Sequence, residues 1–175
     1  VRQQERINVK INFTCGISIF FILTTSPLEA KGPQTAVPPT QPPQKIVTAI
    51  RTQEPIQIDA YLREKAWQGP SAQDFVQQDP VDGGTPSEKT EVWVAYDDDN
   101  IYIAAQLHDS EPGKIRRLLG RRDDQVESDW FIVALDPYYD RRTGYAFWIN
   151  PAGSILDRIL FNDVDLDNSW DGIWE

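Results

Sequence analysis

From residue 90 onward the chain is a series of short apolar runs broken by acidic and glycine-bearing turns. Runs 90–96 (TEVWVAY) and 101–108 (IYIAAQLH) are rich in β-branched and aromatic residues. Asp97-Asp98-Asp99-Asn100 separates them, which predicts a β-hairpin with a four-residue loop. Three more such runs follow, 130–135 (WFIVAL), 145–150 (YAFWIN) and 155–161 (ILDRILF). Short strands at regular spacing, with too little helix for parallel crossovers, predict an all-β fold, an antiparallel β-sandwich with one or two short helices. Upstream, Ile56 and Ile58 alternate around Gln57 and predict an edge strand. Asp59 then predicts an N-cap, and Leu62, Ala66 and Trp67 stand at helical spacing over residues 61–67. Residues 111–119 predict a second short helix, with Pro112 in its first turn and Gly120 at its end.

Alternate residues of a strand face opposite ways. Phe131, Val133 and Leu135 therefore share one side, and Trp130, Ile132 and Ala134 the other. In the next strand Tyr145, Phe147 and Ile149 oppose Ala146, Trp148 and Asn150. Packing the Phe131 set with the Phe147 set as the core leaves Trp130, Trp148 and Asn150 on an outer face, while Trp67 and Trp93 are expected in the core. Two indoles beside an amide suit a sugar, because flat rings cover the C–H face of a pyranose and polar side chains fix its hydroxyls. The competing expectation is that another strand or a further domain covers them. Arg121, Arg122 and Asp123 precede this strand. Arg122 is a candidate contact for a ligand carboxylate or hydroxyl, with a surface ion pair to Asp124 or Asp129 as the plainer role.

Composition narrows the function classes. The net charge of −10 and pI near 4.5 argue against a nucleic-acid partner, which needs clustered Lys and Arg. Cys15 is the sole cysteine, so the body of the chain has no thiolate metal site and no disulfide. His108 is the sole histidine, and a strand-end polar role suits it. Residues 1–30 read as a signal peptide: Arg2, Arg6 and Lys10 precede the apolar run 16–23 (GISIFFIL), with a cleavage region at 24–30. Residues 31–45 read as a proline-rich linker that cannot bury enough surface to fold. The domain occupies residues 46–175. Export to the periplasm, outer membrane or cell exterior is the corresponding expectation.

Calcium is a second candidate ligand. In 162–168 (NDVDLDN), Asp163, Asp165 and Asp167 recur at every second position, so an extended chain aims their carboxylates one way, and Ca²⁺ takes six to eight oxygens. The run is not an EF-hand, because Asn168 replaces the required glycine and Trp174 the bidentate acid. Asp97, Asp98 and Asp99 form a weaker candidate. Nothing in the order of the acids singles out the pair of carboxylates that glycoside hydrolysis requires.

The order of several motifs over residues 46–175 resembles the family 9 carbohydrate-binding module. These are Ile58-Asp59 with Trp67, Tyr96-Asp97-Asp98 leading to Ile101-Tyr102-Ile103, and 129–136. Gln78-Asp79-Pro80, Arg121-Arg122-Asp123, Asn150-Pro151-Ala152-Gly153 and Trp170-Asp171 through Trp174 are similar to a subgroup heading large bacterial envelope proteins with a C-terminal region of β-barrel character. The resemblance implies a non-catalytic glycan-binding domain with bound calcium, later strands beyond Glu175, and a role in carbohydrate catabolism, alongside any hydrolase domain of the full-length protein. Its partners would be a polysaccharide and the C-terminal region of the same protein; the alternative is a docking module of an outer-membrane β-barrel protein with no sugar ligand. The chain also departs from the family. The family's sugar-binding Arg falls at Trp148 by strand alignment, its Glu falls at Ile132, and its Trp near Val126 is missing.

Overall fold

A computed structural model of the protein describes residues 5–12, 18–19, 45–162 and 165–175. The 31–44 part of the linker, most of the 1–30 segment and Asp163 lie outside these residues. Among the described residues nine strands form two sheets: β1 Glu5–Asn12, β2 Ser18–Ile19, β3 Ala49–Arg51, β4 Thr90–Tyr96, β5 Asn100–Leu107, β6 Phe131–Asp136, β7 Gly144–Ile149, β8 Ile155–Phe161 and β9 Asp165–Asp167. The first sheet has the order β1-β5-β4-β3 and the second β2-β6-β7-β8-β9. All pairings are antiparallel except that of β3 with β4. The fold is thus all-β and sandwich-like.

The core follows from the alternation. In β4 and β5, Val92 pairs with Ala105 and Val94 with Ile103 on one face, and Trp93 with Ala104 and Ala95 with Tyr102 on the other. Ile103 and Ala105 meet Leu135 of β6 and Phe147 of β7 between the sheets, so the core joins both. Phe131, Val133, Tyr145 and Ile149 pack around this cluster, as the alternation predicts. Trp174 completes it, 7% exposed, with its ring 5.3 Å from that of Phe147. Trp170 lies 4.8 Å from Tyr145, so the segment carrying both indoles lines the inner face of the second sheet.

A second cluster caps the outer face of the first sheet: Trp67 and Ala66 pack on Ala95, Tyr102 and Ala104, with Ile56, Ile58, Leu62 and Trp93 around them. Residues 56–58 join no sheet, and the edge place beside β4 belongs to β3. The expected helical turn over 61–67 shortens to a 3-10 turn at Lys65–Gln68. Asp59 accepts the Tyr61 N–H at 2.9 Å, a local turn in which Ala60 takes φ +58°. The expected helix at 111–119 is likewise a single 3-10 turn, Pro112–Lys114. Past it, Asp129 accepts the Arg116 N–H at 3.0 Å and its own N–H donates to the Arg116 carbonyl, so the backbone is tied to a distant strand entry instead of to its own preceding turn. No helix among the described residues is long and apolar enough to cross a membrane.

Candidate functional site

The outer face of the second sheet is set by register. Ile132 pairs with Trp148 and Trp148 with Leu156, giving one row across β6, β7 and β8. Ala134, Ala146 and Arg158 form the next row. Trp130 enters this face from just before β6. Its ring centroid is 6.0 Å from that of Trp148 with the planes at 70°, an edge-to-face pair worth about 0.5–1.5 kcal/mol beyond area burial. Both indoles are half-buried, while Ile132 beside them is 45% exposed.

The two indole N–H groups differ. Trp130 Nε1 donates to the Val126 carbonyl at 3.3 Å. Trp148 Nε1 is enclosed and has no hydrogen-bond partner. Over the Trp148 ring, 5.0 Å from its centroid, sits the guanidinium of Arg158, a cation–π contact. The strand pattern of 155–161 contains the signal for this residue, a charge in the middle of an apolar run, but that run reads first as a core strand.

Asn150 is 2% exposed, and both ends of its amide are committed. Nδ2 donates to the Leu118 carbonyl at 2.8 Å, and Oδ1 accepts the N–H groups of Ala152 at 3.0 Å and Ser154 at 2.8 Å. It organises the β7–β8 turn in which Gly153 takes φ +83°. Its amide therefore has no unused donor or acceptor end to offer beside the indoles.

Arg122 goes elsewhere. Its Nη2 donates to Asp157 Oδ1 at 2.7 Å and to the Gly172 carbonyl at 2.9 Å, and it pairs with Asp171 at 2.8 Å. The expected partners Asp124 and Asp129 are not the ones it finds; Asp129 pairs with Arg116. Asp157 shares its strand face with Ile155 and Ile159, opposite Arg158, and is 1% exposed. Its Oδ2 accepts the Gly172 N–H. A side chain at Gly172 would meet the Trp170 ring at 2.6 Å, so the close approach requires glycine. Asp123, at φ +64°, donates its N–H to the Ile155 carbonyl and accepts the Asp157 N–H, which completes the β8 edge.

Asp123, Asp157 and Asp171 thus gather carboxylate oxygens within 4.8 Å of one another. Arg122 bonds into the same cluster and supplies the compensating charge, so the guanidinium does there what a cation would do. At the calcium candidate, Asp165 and Asp167 flank Leu166 on β9. Asp167 Oδ1 accepts the N–H and hydroxyl of Ser169, holding its carboxyl below the usual range, and Asp165 accepts the Asn162 amide at 3.4 Å. Those two acids form turns, and the third, Asp163, is outside the described residues. In the hairpin loop Asp97 accepts the N–H groups of Asp99 and Asn100 and the Tyr102 hydroxyl at 2.7 Å. Burial raises its pKa, but these donors outweigh it and bring the value down to about 2. His108 closes β5 on Glu91 at 2.8 Å, in the polar role its position suggests.

Comparison of the chain with protein-family models, with curated proteins and with solved structures returns no match.

Proposed function

We propose that the chain is a non-catalytic carbohydrate-binding domain of an exported bacterial protein, with the outer face of the second sheet turned to the saccharide. The observation that carries this reading is the half-buried Trp130–Trp148 pair on this outer face, beside the exposed Ile132. The indole faces offer C–H stacking. The resemblance of the motif order to family 9 modules points the same way. Export rests on the basic-then-apolar order of residues 1–30.

Retention of the full chain on immobilised polysaccharides tests it. Trp148→Ala is expected to weaken retention about tenfold or more, whereas Trp67→Phe on the other sheet leaves it unchanged. Absence of retention across neutral and acidic glycans would refute the proposal, and release of sugar by the purified chain would overturn its non-catalytic part. Exposure of Ile132 beside the indoles favours a second reading, docking of this face against a C-terminal region of the same protein. Strong iodide quenching of Trp148 in the whole protein counts against that alternative.

A further inference from the structure

Arg158 is the one strongly polar side chain in the rows that form the indole face, and it is 9% exposed. Its Nη2 donates to Gln125 Oε1 at 3.0 Å, a neutral acceptor. Its Nε is enclosed without any partner. Among the described residues no carboxylate forms an ion pair with it, although this chain carries an excess of acids and Arg122 alone pairs with three of them. Asp136, on the same strand face as Ala134, is spent on the N–H groups of Tyr138, Asp140 and Arg141. A buried guanidinium without an anion is costly, since its charge is desolvated and uncompensated. Trp148 Nε1, beneath that guanidinium, is a second enclosed donor without an acceptor. The guanidinium and the indole ring are stacked, and the guanidinium carries a full positive charge.

We propose that Arg158 and Trp148 form an oxyanion subsite that takes the carboxylate of an acidic sugar, a uronic acid residue of a glycan. This rests on the carbohydrate-binding reading for the source of the anion and deepens it by naming the ligand class. A neutral hydroxyl would leave the Arg158 charge uncompensated. A carboxylate compensates it, its two oxygens matching the guanidinium fork.

The test is fluorescence titration of the full chain with oligogalacturonate, with a neutral galactose oligomer of the same length, and with sodium sulfate and acetate. The acidic oligomer is expected to bind at least about tenfold more tightly than the neutral one. That advantage should shrink with added salt and vanish in Arg158→Gln, while affinity for the neutral oligomer changes little. Equal affinity for the two oligomers, or an unchanged preference in Arg158→Gln, overturns the inference; if neutral binding still depends on Trp148, the carbohydrate reading survives it. Sulfate or acetate binding that needs Arg158, with no glycan binding, overturns the uronate source and the carbohydrate reading together, and identifies a plain oxyanion site. Should Arg158→Gln not fold, arginine Nε–H spectra of the unaltered protein decide. One resonance is expected to shift saturably with oligogalacturonate and not with the neutral oligomer, and absence of that shift refutes the subsite.

Discussion

Asn150 holds the β7–β8 turn with every end of one side-chain amide, and its carbonyl partner Leu118 comes from a loop 32 residues away. Asn150→Ala strands two backbone N–H groups and the Leu118 carbonyl, so a loss of about 3 kcal/mol is expected in urea unfolding. Asn150→Asp keeps the acceptor for Ala152 and Ser154 and should cost less. Face membership at this scale was legible from alternation alone: Trp130, Trp148 and Asn150 do leave the Phe147 side of the strand. What each side chain does on that face was not. Leu118 is remote in the chain from the Asn150 amide it accepts from, and no local pattern announces a contact across 32 positions.

The β4–β5 hairpin is the element whose structure lay most openly in its sequence. The Asp97 N–H donates to the Asn100 carbonyl at 3.1 Å, so the loop closes where the break in the apolar runs placed it. Its acidic loop is held by the Asp97 carboxylate, which gives the hairpin a pH dependence of definite sign. The folded pKa of Asp97 is brought down to about 2 from an ordinary 3.8, so its stabilisation is complete above the ordinary value and is lost as pH falls from there through 2. Tyr102, buried against Asp97, is pushed up to about 12 from 10.0, so its contribution is complete below 10.0 and lost as pH rises through 12. Urea midpoints measured from acid to alkaline pH should show both losses; Asp97→Asn should flatten the acid limb and Tyr102→Phe the alkaline one. The helical elements were less legible. Leu62, Ala66 and Trp67 do share a cluster, but an Asx turn at Asp59 and the single turn at Lys65–Gln68 bring them together without a helix. Apolar spacing records which side chains are buried and leaves the backbone path open when the segment is short.

For the molecule as a whole, the two sheets meet through few large side chains, and Trp174 is one of them. Trp174→Ala is expected to cost about 3–5 kcal/mol, the usual penalty for emptying an aromatic site. Because Trp174 Nε1 is buried without a partner, Trp174→Phe should cost much less, and calorimetric melting of the two variants checks the order. Trp170 and Trp174 reach the core from a stretch with no strand period, which is why alternation could not place them.

Asp157 and Arg158 are neighbours on β8 yet are buried on opposite sides of it, the acid against Arg122 and Gly172, the base against Trp148. Sliding the strand by a single residue would drive a guanidinium between the sheets and thrust the carboxylate against an indole. An apolar strand tolerates such slippage far more readily. The adjacent charges therefore act as a latch on alignment, excluding the nearest misfolded pairing of β7 with β8 whatever the outer surface binds.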